Sequence, residues 1–99
     1  MGYQIIRSFE PPYPAPMAAL VEGAIAALAG RLGVAAESIA VEGLHAVVWS
    51  DGSIGCPQPG MLYTQALVEG ALIVLGAGGA RYRYHSAEGR PAFLCERPG

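Results

Sequence analysis

The sequence predicts an α+β domain: one helix packed on a four-stranded antiparallel sheet, a two-layer sandwich. Three observations carry this. Apolar residues at Met17, Leu20, Val21, Ala24, Ile25, Leu28, Ala29 and Leu32 repeat with the i, i+3, i+4, i+7 spacing of one helix face. The run Ile39–Trp49 has the length and composition of a strand. After residue 66, strand-like runs at Leu67–Ala77, Ala80–His85 and Pro91–Cys95 follow one another across short turns.

Taken in order, residues 1–16 read as an extended, proline-rich arm. Tyr3-Gln4-Ile5-Ile6 has the makings of a short strand, and Pro11, Pro12, Pro14 and Pro16 then fix φ and remove backbone donors. A single α+β domain is placed at 17–97. Pro16 suits a first helical turn, and Gly33 suits the left-handed position just past the helix end. Gly23 and Gly30 each cost about 1 kcal/mol against alanine inside a helix; they are read as points where the helix lies close on the sheet. Gly43 marks a bulge or a bend in the first long strand. Gly78-Gly79 makes a tight hairpin, and Glu88-Gly89 a second turn. In Arg81-Tyr82-Arg83-Tyr84-His85 the alternation puts Tyr82 and Tyr84 on one face and Arg81, Arg83 and His85 on the other.

Composition narrows the function classes. Ninety-nine residues make one domain, and 53% apolar with 14% charged residues argues against disorder. A net charge of −2 with six arginines and no lysine argues against a nucleic-acid surface. No apolar run approaches the roughly 20 residues of a membrane span. Residues 1–16 carry Arg7 and Glu10 and lack the apolar centre of a signal peptide. That points to the cytoplasm, or to export if a leader has been removed.

The stretch from Trp49 to Gln65 organises the chain. It holds the sole tryptophan, one of two cysteines, Pro57, Pro59 and several glycines, set between two apolar runs. Glycine and proline hold conformations that other residues do not, and loops so built often carry function. The leading expectation is a non-enzymatic interaction domain that presents loop 50–66 to a protein or peptide partner, with protease inhibition as its sharpest form. The candidate contact residues are Trp49, Asp51, Ser53, Ile54, Cys56, Gln58, Met61, Tyr63 and Gln65. Replacing Ile54 or Met61 is expected to abolish binding without lowering stability. Two other classes stay open: a thiol- or metal-dependent enzyme using Cys56, and a structural or self-associating module forming a homodimer through an exposed sheet edge.

A disulfide between Cys56 and Cys95 would tie this loop to the last strand and, closing about 40 residues, would stabilise the fold by roughly 4 kcal/mol on chain-entropy reasoning. Free buried thiols, or reactive or metal-bound sulfur, are the alternatives. His45 and His85 complete a formal Cys2His2 set, but the spacings of a zinc site are missing, and no metal or cofactor is expected. His45 is read as a satisfied strand histidine and His85 as a polar strand-end residue. No nucleophile elbow or cysteine-protease signature accompanies Ser53 or Cys56. Gly76-Ala77-Gly78-Gly79 lacks the helix and lysine of a phosphate loop. Arg81, Arg83 and His85 form a basic stripe, either an anion-binding face or a solvated one.

The pattern Trp49-x-Asp51-Gly52-Ser53-x-Gly55-Cys56-Pro57-x-Pro59-Gly60-x-x-Tyr63-x-Gln65, continued by Gly70, Tyr82-x-Tyr84-His85 and Leu94-Cys95, resembles a family of small, often exported bacterial proteins without an assigned activity. The resemblance covers roughly residues 20–96. It implies a helix-on-sheet domain and favours the disulfide. The plan is similar to that of cystatin-like and PepSY-like domains. The order helix, strand, exposed loop, strand is similar to potato-inhibitor-I-like proteins. Gln65-Ala66-Leu67-Val68-Glu69-Gly70 is one residue longer than the cystatin Gln-x-Val-x-Gly hairpin, so that likeness speaks to topology.

Overall fold

The computed structural model of the protein describes residues 2–96. Strand β1 (Tyr3–Ser8) leads into helix α1 (Ala15–Leu32). A short 3-10 turn, Ala36–Ser38, precedes β2 (Ala40–Trp49), β3 (Val68–Ala77), β4 (Ala80–Ala87) and β5 (Phe93–Leu94). The five strands form one antiparallel sheet in the order β1-β2-β3-β4-β5, with α1 on one face. The α+β architecture is as expected, but the sheet has five strands rather than four. The additional strand comes from the arm: its prolines begin only at Pro11, so Tyr3–Ser8 keeps the N–H groups that a ladder needs. Tyr3 pairs with Trp49 and Ser8 with His45. Positions 1 and 97 of the expected arm and domain lie outside the described residues.

The helix ends are set locally. Pro16 occupies the first turn, where a missing N–H costs nothing. Gly33 sits at φ 69°, and both Gly33 and Val34 donate to the Ala29 carbonyl, closing the C-terminus with the left-handed turn that glycine permits. By length and composition α1 is long and apolar enough to cross a membrane. Here its Val21, Ala24 and Leu28 are buried against the sheet. Gly23 and Gly30 are on the outer side: a side chain on either would meet nothing within 4 Å. They do not bring the helix onto the sheet, because the contact stripe falls one residue away on the helical wheel.

Register divides the core in two. Leu44, Ile73 and Tyr84 stand side by side on β2, β3 and β4 and carry the helix. Val47, Trp49, Leu72 and Ala87 point to the opposite face, where Ile54 packs onto them. Gly43 lies at the register shift in β2, which makes it a bulge where a bulge or a bend was expected. Gly78 and Gly79 both have positive φ, as a two-residue hairpin of that twist requires. Thus one face is covered by α1 and the other, in part, by the loop between β2 and β3.

Candidate functional site

The loop from Ser50 to Leu67 has a buried base and an exposed tip. At the base, Asp51 folds the chain back: its Oδ1 accepts from the Ser53 backbone N–H at 2.9 Å and from the Ser53 hydroxyl at 2.6 Å. These two bonds stabilise the ionised carboxylate and hold its pKa below the ordinary value. Ile54 then adopts φ 57°, a left-handed conformation that a β-branched residue avoids, and Gly55 follows at φ 71°. Two interactions hold Ile54 there. Its side chain, 3% exposed, fills the second core cluster, and its carbonyl accepts from His85 Nδ1 at 2.8 Å. Backbone strain held by burial and a hydrogen bond is a recurring feature of functional loops.

Gly55 has a steric reason to be glycine. A Cβ there would approach the Trp49 ring to 2.4 Å and His85 Nδ1 to 3.1 Å. The indole and imidazole stack with centroids 4.7 Å apart, and Tyr3 meets Trp49 edge-on at 5.3 Å. The indole N–H reaches across β3 to the Ser86 carbonyl on β4, at 2.8 Å. That route passes over Gly70, where a Cβ would lie 1.9 Å from the Ser86 oxygen. Gly76 serves in the same way six residues on, leaving room for the Glu42 side chain to reach Arg81 at 2.7 Å.

Cys56 is bonded to Cys95, which follows β5, across a separation of 39 residues. The base is therefore fixed covalently to one sheet edge, and a hydrogen bond from Gly52 N–H to the Thr64 carbonyl closes its other side. In this state Cys56 has no thiol to act as nucleophile or ligand.

The tip runs through residues 57–67. Tyr63 closes a small ring by accepting the Gln58 N–H on its hydroxyl, and Met61 N–H donates to the Gln58 carbonyl. Gly60 has φ 79°. Gln65 Nε2 donates to the Tyr63 carbonyl at 3.5 Å. Beyond these the tip is open, and it carries Met61 at 59%, Leu62 at 97% and Leu67 at 74% exposure. Exposed apolar side chains in sequence on a braced loop are the kind of surface that partners cover.

The expected contact residues thus separate. Gln58, Met61 and Gln65 are exposed and Tyr63 is half-buried, all in the tip. Trp49, Ser53, Ile54 and Cys56 belong to the buried base, with Asp51 capping it. Ile54 is a core residue, contrary to its expected role as a contact that could be removed at no cost in stability. The sequence reasoning missed Leu62 and Leu67; their signal was an apolar run in a loop otherwise rich in glycine and proline.

The basic stripe does not form one open face. Arg81 is paired with Glu42, Arg83 donates to the Tyr3 hydroxyl at 3.2 Å, and His85 is 1% exposed rather than a polar strand end. Its alternation with Arg81 and Arg83 was read correctly, but the loop that covers it follows from tertiary structure. Burial drives the His85 pKa below its ordinary value; the Arg83 charge acts the same way and the Ile54 bond opposes it. The ring is therefore neutral, with its proton on Nδ1. His45 bonds Ser8 Oγ at 2.7 Å, the satisfied strand histidine anticipated.

A model of the family described as a domain of unknown function (DUF8738) matches residues 21–95. No curated protein and no solved structure matches the chain.

Proposed function

The chain belongs to the family of that domain of unknown function, and we propose that it is an interaction domain whose loop tip, residues 57–67, docks into an apolar cleft of a protein partner. The observation that carries this is Leu62, 97% exposed beside Met61 on a loop whose base is buried and covalently tied to the sheet. An apolar side chain held in water contributes on transfer to a pocket. A base already fixed has less conformational entropy to lose on binding.

Protease inhibition is the sharpest form: Leu62 enters the primary pocket of an enzyme that prefers large aliphatic residues. The likeness to small exported bacterial proteins supports an oxidising compartment, where the Cys56–Cys95 bond persists. The test is inhibition of serine and cysteine proteases with apolar primary pockets by the oxidised protein and by Leu62→Asp. Inhibition lost in the variant supports the reading. Rapid cleavage at the tip without inhibition removes the inhibitor form.

A second reading, self-association through the edge strand β1, rests on the exposure of Ile5 and Ile6. Sedimentation that gives a monomer at millimolar concentration dismisses it.

A further inference from the structure

On the helix side of the sheet, register sets Ala46, Ala71 and Ser86 side by side on β2, β3 and β4. The adjoining row on that face is Leu44, Ile73 and Tyr84, on which Val21, Ala24 and Leu28 are seated. A straight helix resting on a row of large side chains stands clear of a neighbouring row of small ones. The first turns of α1, at Met17 and Leu20, accordingly roof a recess of about 380 Å³ whose floor includes Ala71 and Ser86 and whose end is the turn at Glu88–Arg90. That volume falls within the roughly 300–1,000 Å³ of small-molecule sites, which are mostly apolar with a few placed polar groups.

Here the placed group is Ser86. The residue is 2% exposed, and while its carbonyl is taken by Trp49, its hydroxyl forms no hydrogen bond with a described residue. Ser86 lines the recess, so an oxygen of a molecule seated there has a hydroxyl to hydrogen-bond with. The rim carries both signs of charge, Glu69 and Glu88 against Arg90, all exposed to water, so neither an anion nor a cation is selected.

We propose that this recess binds a small, neutral, largely apolar molecule bearing one hydroxyl or carbonyl oxygen. Its apolar body lies against Met17, Leu20 and Ala71, and its oxygen meets the Ser86 hydroxyl. The site lies across the sheet from the loop base and is independent of the loop's role.

The test is an amide-shift titration of the full chain with benzyl alcohol, toluene and benzoate. Saturating shifts clustered at Met17, Leu20, Ala71 and Ser86 are expected for benzyl alcohol. Ser86→Ala should weaken benzyl alcohol about fivefold and leave toluene unchanged, the effect of one hydrogen bond. Ala71→Val, which fills the floor, should weaken both probes about tenfold; if it does not fold, Leu20→Phe fills the recess from the roof. Shifts that fail to saturate, that centre on Met61 and Leu62, that favour benzoate, or that respond to Ser86→Ala equally for alcohol and toluene overturn the proposal.

Discussion

The Trp49 indole lies on the His85 imidazole, 4.7 Å between centroids and 15° from parallel, and this pair is the platform on which the loop base is fixed. Gly55 passes over the ring, the Ile54 carbonyl accepts a hydrogen bond from the imidazole N–H, and Cys56 continues to the disulfide. The base is consequently part of the core, and the tip is the exposed part of the loop.

His85 makes stability depend on pH. Its folded pKa is lowered by burial from the ordinary value of 6.5, so the unfolded chain takes up a proton that the fold refuses. Stability is therefore full above about pH 6.5 and is lost as pH falls through the lower folded value. Asp51 contributes in the same direction only below its ordinary 3.8, in a separate window. Calorimetry from pH 8 to pH 5 should show a midpoint that is level at first and then falls. His85→Gln should flatten that fall while lowering the midpoint throughout; an unchanged slope would remove His85 as its source.

Gly70 and Gly76 should respond differently to alanine. At Gly70 the added Cβ meets the Ser86 carbonyl at 1.9 Å and the indole nitrogen at 2.7 Å, both fixed. At Gly76 its three nearest neighbours all belong to the Glu42 side chain, which can swing away. Gly70→Ala should cost about 3 kcal/mol or more. Gly76→Ala should cost about 1 kcal/mol or less, mostly the exposed Glu42–Arg81 pair. Urea denaturation of both variants checks the ranking.

Ile54→Ala should destabilise by about 2–5 kcal/mol, the range for a large aliphatic residue removed from a core. Leu62→Ala should stay within about 0.5 kcal/mol, as exposed substitutions do. Equal unfolding midpoints for the two would mean that the base is not packed as described.

Breaking the covalent tie should weaken the domain without abolishing its sheet, since β1 to β4 are joined by their own long ladders and only the two-residue β5 adjoins Cys95. For a separation of 39 residues, Cys56→Ser with Cys95→Ser should cost about 4 kcal/mol on the chain-entropy account. Alkylation of the denatured protein with and without prior reduction establishes the bond in the wild type, where no thiol should react before reduction.

What the sequence revealed follows from how local each signal is. The α1 face, the Gly43 bulge and the Gly78-Gly79 hairpin rest on neighbours within a few residues, and pattern and propensity suffice for those. The fifth strand was half legible in Tyr3-Gln4-Ile5-Ile6, but its partner, beginning at Trp49 opposite Tyr3, is 46 positions along the chain, and the prolines drew attention to an arm. Gly23 and Gly30 show the converse limit: a glycine in a helix signals close approach or mere tolerance alike, and only the packing separates them. In the loop, the special residues marked the right stretch. Which of them face inward depended on His85 and Cys95, more than 25 residues away in sequence. Ile54 looked like a free contact for that reason.

The central proposal, that the tip and not the base carries recognition, is tested most directly by an alanine scan of residues 50–67 read as inhibition constants against whichever protease the inhibition test identifies. Each variant is assayed at a temperature where its own unfolding curve shows it folded. The account predicts losses of tenfold or more, or about 1.4 kcal/mol, at Leu62 and Met61, and values near wild type for Ser53 and Ile54. Full inhibition by the Met61 and Leu62 variants, with losses confined to the base, would contradict it.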